Sequence, residues 1–241
     1  MTLSANNQRY LTFLKDIYAV STACNTVTYI WGGFTLDLFA GRFLREHHDL
    51  DGFTLDLLDH LPDLIRHYEQ RGYATSFRDD IDMLVIARDG LHAAFNRLEL
   101  DGEIAMWRHI GDEGTVYFPV SWLDAAPTDF HDAKVLSAGL QLDYTLKTHI
   151  RMTHATWELR EKDHAAIAQL EAALAERHLD PEVFLRQVWS YNPFWAKRGY
   201  PEYALPTVAR PLQPLDDPPG ERTPRPSTPN GNDGGKTPNA F

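Results

Sequence analysis

The sequence predicts an α/β (α+β) protein: a mixed sheet flanked by helices, then a small helical region and a proline-rich tail. Three observations carry this reading. Residues 26–31 are β-branched and aromatic and run into Gly32-Gly33, a strand meeting a turn. Stretches of helical periodicity alternate with short runs of strand periodicity up to about residue 135. From about Leu140 the pattern is helical, and residues 206–241 hold nine of the 15 prolines.

Taken in order, Tyr10, Leu11, Leu14, Ile17 and Tyr18 share one face of a first helix over 5–23. The strand 26–31 and the glycine pair follow, then a helix over 34–44. Asp49 to Leu55 alternates and reads as a second core strand. Leu57, Leu58, Leu61, Leu64, Ile65 and Tyr68 predict a helix over 57–71, closed by Gly72. Tyr73–Phe77, Asp82–Arg88 and Leu91–Leu100 are further strands, with Asp89-Gly90 a two-residue hairpin turn. Ile104–His109 and Thr115–Val120 form another pair around Gly111–Gly114, and 133–138 is one more short strand. Helices are expected over Leu140–Thr153, Glu158–Arg177 and from Pro181 to about Tyr191, the proline at a favourable first position. The expected organisation is a catalytic region at 1–135, a helical region at 136–200 and a disordered tail at 206–241, too polar to offset its own ordering.

The chain has 241 residues, 43% hydrophobic and 24% charged, which is ordinary globular composition. Its formal charge of −11 argues against a broad nucleic-acid footprint and suits a cationic small molecule. The single cysteine, Cys24, has no disulfide or metal-type partner. With no signal-peptide pattern in the first residues and no run long enough to span a membrane, a cytoplasmic location is expected.

The chemistry concentrates in residues 29–53. After Gly32-Gly33 and a helical stretch comes Arg45-Glu-His47-His48-Asp49-Leu50-Asp51. In a strand, carboxylates two residues apart point to one face, where they can hold a hard divalent cation against a triphosphate. An Asp-x-Asp is by itself more often a solvated turn, and Gly-Gly more often only a turn. His47 and His48 beside two acids also raise a transition-metal site, although a loop-organising His47 and a solvated His48 read better.

This stretch resembles the aminoglycoside and lincosamide nucleotidyltransferases of the polymerase-beta-like superfamily. Their pattern Gly-Gly-x-x-x-Asp-x-x-x-Gly-Arg-x-x-Arg-x-His-x-Asp-x-Asp is met by Gly32, Gly33, Asp37, Gly41, Arg42, Arg45, His47, Asp49 and Asp51. A second resemblance, to the family's C-terminal His-x-x-Tyr-Glu and Arg-x-Lys-Asp signature, falls on His154, Trp157, Glu158, Arg160, Lys162 and Asp163, with Trp157 in place of Tyr. Together they imply a nucleotidyltransferase fold using Mg²⁺ and an NTP, ATP first among them. In it Asp49 and Asp51 bind metal, and Gly32, Gly33, Arg45 and Lys162 bind the phosphates. The acceptor implied is a small-molecule hydroxyl on a monomeric or homodimeric enzyme. Asp37 is expected to pair with Arg42 or Arg45.

The pattern departs at the third carboxylate, which the family carries on a strand just after a hairpin. Counted from Asp89-Gly90, its place is held by Ala94. His92 shares that face and is the candidate base; Asp82 and Glu99 are the other candidates, Glu99 on the opposite face. Three functions therefore stand open. They are transfer of AMP to an aminoglycoside- or lincosamide-like hydroxyl, NTP binding without turnover, and a toxin-type transfer to RNA or protein. Asp143 and Glu158 are candidates to meet the ammonium groups of a cationic acceptor.

Overall fold

The computed structural model describes residues 3–108, 115–148, 158–180 and 189–191. Ten strands form one mixed sheet in the order β10-β7-β6-β5-β2-β1-β9-β8, with the β3–β4 hairpin joined to β5. They are β1 (Thr28–Trp31), β2 (Asp49–Leu55), β3 (Ala74–Arg78), β4 (Met83–Arg88), β5 (Leu91–Asp101), β6 (Ile104–Arg108), β7 (Thr115–Pro119), β8 (Thr128–Phe130), β9 (Ala133–Ser137) and β10 (Trp189–Tyr191). The helices are α1 (Ala5–Ala23), α2 (Thr35–Ala40), α3 (Leu57–Gln70), α4 (Gly139–Thr148) and α5 (Glu161–Glu176).

At the centre, β2 lies antiparallel to β1 and parallel to β5, a pairing reached through α3 and the β3–β4 hairpin. Strand alternation sorts the side chains onto two faces. Leu50, Leu84, Ile86, Ala93 and Phe95 face one way and pack beneath α1 and α3 with Phe13, Leu14, Leu57 and Leu64. Phe53, Leu98, Trp107 and Phe118 face the other and pack against Leu140, Leu142 and Leu146 of α4 and Leu170 and Leu174 of α5. The boundary expected near residue 135 falls inside β9, and the second core joins the sheet to the helices beyond it.

Several expected elements change length or kind. The helix expected over 34–44 is only α2, because Gly41 takes a left-handed φ of 64° and turns the chain out after Ala40. The third C-terminal helix is corrected at its end: residues 189–191 are β10, which adds to the open edge of β7. The short strand β8, paired to β9, was not expected. The Gly111–Gly114 turn, His154 and Trp157 of the C-terminal signature, most of the helix from Pro181, and the tail 206–241 lie outside the described residues. Among the described residues no helix is long and apolar enough to cross a membrane.

Candidate functional site

The site forms where β1, β2 and β5 end beside the glycine turn. In β2, Asp49 is exposed and Asp51 half-buried, and both point to the face carrying α4. The register sets Asp51 beside Trp31 of β1 and Ala94 of β5, and Asp49 beside His92. His92 is exposed on the rim. Gly32 has φ +84°, a conformation that favours glycine, and a Cβ there would stand 3.2 Å from Asp51 Oδ2. The bare Cα of Gly32 therefore faces the Asp51 carboxylate. Beside Gly33 lies the Arg45 guanidinium, in the space a side chain there would take.

The loop leading into β2 is fastened from beneath. His47 Nε2 meets Asp37 Oδ2 at 2.7 Å, and each side chain is only 1% exposed. Asp37 thus pairs with His47, rather than with the expected Arg42 or Arg45, because α2 turns its first acidic residue inward. The amide of Asn6 donates to His47 O at 2.9 Å, and the Tyr10 hydroxyl donates to Asp49 O at 3.1 Å. Tyr10 also packs its ring 5.3 Å from that of His47, and its own phenol is pushed well up by burial and by the Asp49 charge.

The electrostatics mark the same spot. Burial, and then the charge of Asp49, push the Asp51 carboxyl up to about 6, while Lys147 and His92 pull the other way. A carboxylate crowded by a like charge gains from a divalent cation, and oxygen donors suit a hard one. Asp49 and Asp51 would therefore suit a hard divalent cation such as Mg²⁺. Among the described residues no cluster of three or more potential metal ligands occurs. Ala94 contributes no oxygen beside Asp51. The other carboxylates considered for the third position face away: Arg97, on the opposite face, binds Asp82 Oδ2 at 2.9 Å and also pairs with Glu99.

Two residues of α4 enter the site in roles the sequence did not assign: Asp143, expected only as an acceptor contact, and Lys147. Asp143 is 1% exposed, and its Oδ1 accepts the Gly32 N–H at 2.7 Å across 111 residues of sequence. Burial pushes its carboxyl up to about 7, against the Thr35 hydroxyl and the Gly32 amide, which lower it. That placement removes Asp143 as a solvent-facing partner for a substrate ammonium; Glu158 is exposed. Lys147, one turn further along α4, is half-buried and lowers the carboxyls of Asp51, Asp143 and Asp163 alike. Lys162 is exposed in the first turn of α5, and no described contact brings it to the glycine turn. The sequence did carry a signal for Asp143, an acid between Leu142 and Leu146 on a predicted helix, but no local pattern points it at Gly32.

Similarity to solved structures defines the class: the mixed sheet with its glycine turn is the nucleotidyltransferase fold. No family model and no curated protein matches the chain. Among solved structures it is similar to the antibiotic-resistance factor ANT(2'')-Ia in solution (TM-score 0.53, 15% identity, 70% of this chain and 85% of that one). It is similar also to ANT(2'')-Ia in complex with adenylyl-2''-tobramycin (TM-score 0.52, 17% identity, 73% and 94% covered). The lincomycin-bound lincosamide antibiotic adenylyltransferase LnuA gives a TM-score of 0.50 at 17% identity, over 72% of this chain and 99% of that one.

Proposed function

We propose that the protein is a Mg²⁺-dependent nucleotidyltransferase moving a nucleoside monophosphate, AMP in the first instance, from an NTP to a hydroxyl of a small molecule. The observation that carries this is the pair Asp49 and Asp51 on one face of β2, with Asp51 set against the bare Cα of Gly32. The adenylylated tobramycin and the lincomycin held by two similar structures support an aminoglycoside- or lincosamide-like acceptor.

Asp49 and Asp51 would hold the metal, which neutralises the triphosphate and steadies the departing pyrophosphate. Gly33 and the Arg45 guanidinium over it line the turn where phosphate oxygens would lie. Lys147 would add a half-buried positive charge to those that the resemblance assigns to Arg45 and Lys162. The acceptor oxygen attacks the α-phosphorus, the bond to the bridging oxygen of the β-phosphate breaks, and pyrophosphate leaves with that electron pair. The acceptor proton passes to His92, the titratable side chain beside Asp49 on this face.

Pyrophosphate release from each NTP with Mg²⁺ and a panel of aminoglycosides and lincosamides tests the reading, with Asp49→Asn/Asp51→Asn as control. Acceptor-dependent release lost in the double variant is expected. A second reading, NTP binding without turnover, is favoured by one observation: Ala94 stands beside Asp51 while Asp82 and Glu99 are committed to Arg97. It predicts Mg²⁺-dependent NTP binding with no release for any acceptor.

A further inference from the structure

The sequence joins the glycine turn and α4 by nothing local, yet the structure ties them with one buried bond. The Gly32 N–H donates to Asp143 Oδ1 at 2.7 Å, and the Thr35 hydroxyl stands beside the same carboxyl. A Cβ built on Gly32 would stand 3.2 Å from Asp51 Oδ2, so the same glycine lies against both carboxylates. Gly32 thus links Asp143 of the helical region to Asp51, the proposed metal ligand. A turn at φ +84° has no side chain to fix its own position, so an external acceptor must do it.

We propose that Asp143 is a positioning residue for nucleotide binding: by anchoring the Gly32 amide from behind, it sets the distance between the glycine turn and Asp51. This rests on the nucleotidyltransferase reading above and extends it to a residue that touches neither metal nor phosphate. What matters is the place of one acceptor oxygen, not the charge of the carboxylate. The neutral isostere should then serve, and a longer acid should not.

The test is Mg²⁺-dependent ATP binding by calorimetry, with a melting curve for each protein. Asp143→Asn keeps an oxygen at the same reach and should bind within about threefold of wild type. Asp143→Glu keeps the charge but pushes the turn outward, and should bind roughly tenfold or more weakly, since misplacement on the ångström scale is enough. Asp143→Leu, with no acceptor, should match Asp143→Glu. If Asp143→Glu does not fold, Asp143→Ser withdraws the oxygen instead and carries the same expectation.

The reverse order, Asp143→Glu at wild-type affinity and Asp143→Asn weakened, would show that charge is what counts and would overturn the proposal. Equal affinity across folded variants overturns it too. The underlying reading is scored separately by wild type against Asp49→Asn/Asp51→Asn. Binding in wild type that is lost in that control, with a flat Asp143 series, sinks only the positioning role. A wild type that binds no Mg²⁺–ATP removes the nucleotidyltransferase reading and this inference with it.

Discussion

Asp51 meets two demands that pull in opposite directions. It must be ionised to hold a cation, yet burial and Asp49 push its carboxyl up to about 6 from 3.8. Metal and proton therefore compete for it, and Mg²⁺ affinity is expected to fall steeply as pH drops through about 6. Calorimetric titrations between pH 5 and 8 check this; a flat profile would remove Asp51 as a ligand. The stability sign follows from the raised value. A carboxyl that binds its proton more tightly when folded contributes stability that is fully present below about 3.8 and lost as pH rises through about 6. At pH 8 Asp51→Asn should then melt higher than wild type, by something on the order of 1–3 kcal/mol, while binding no metal. A lower melting temperature for Asp51→Asn at that pH would contradict the placement. Ala94, beside Asp51, is the complementary case. Ala94→Asp puts a carboxylate beside Asp51, in reach of a general-base role, and turnover should rise by about 10²-fold or more. Pyrophosphate release under saturating substrates measures it, and no gain would mean that the absence of a carboxylate at Ala94 is not what limits the rate.

The loop between α2 and β2 leads into the strand that presents those carboxylates, and one buried pair holds it. Asp37 and His47, each 1% exposed, are fixed at 2.7 Å, and Tyr10 and Asn6 of α1 hold the adjacent backbone. His47→Leu leaves the Asp37 carboxyl buried without that partner, a change that typically costs about 3–5 kcal/mol. At about 2–4 °C per kcal/mol for a chain of this size, the melting temperature should fall by roughly 6–20 °C. Asp37→Leu combined with His47→Leu should recover much of it, because no buried polar group is left without its partner. A single variant as stable as wild type would show that the pair does not brace the loop. How much of this was legible depends on range. Strand, glycine pair and Asp-x-Asp follow one another within 24 residues, so alternation alone placed Asp49 and Asp51 on one face beside the turn. The inward pairing of Asp37 depends on where Gly41 ends the helix, a boundary that periodicity does not fix. Asp143 lies 111 residues from Gly32, and only the packing of α4 onto the sheet brings them together. Lys147 was overlooked for the same reason, its partners lying on β2 and α5 as well as on its own helix.

At the scale of the whole molecule, the question is whether the sheet can stand without the helices that follow it. Composition and periodicity suggested a catalytic region at 1–135 and a helical one at 136–200, and Leu140, Leu142, Leu146, Leu170 and Leu174 of the latter share a buried core with Phe53, Leu98, Trp107 and Phe118. Each fully buried leucine contributes about 1.5–3 kcal/mol. Losing them all removes on the order of 10 kcal/mol, as much as the entire stability of a typical domain. The face stripped bare would be the one carrying Asp49, Asp51 and His92, and Gly32 would lose its Asp143 acceptor in the same cut. A chain ending at Ala138, after β9, is therefore expected to show no cooperative melt and no Mg²⁺-dependent nucleotide binding. Calorimetric scanning of that fragment beside the full chain decides the point. A sharp transition in the fragment would make the sheet an autonomous domain, and α4 and α5 an appendage to it rather than the second wall of the site.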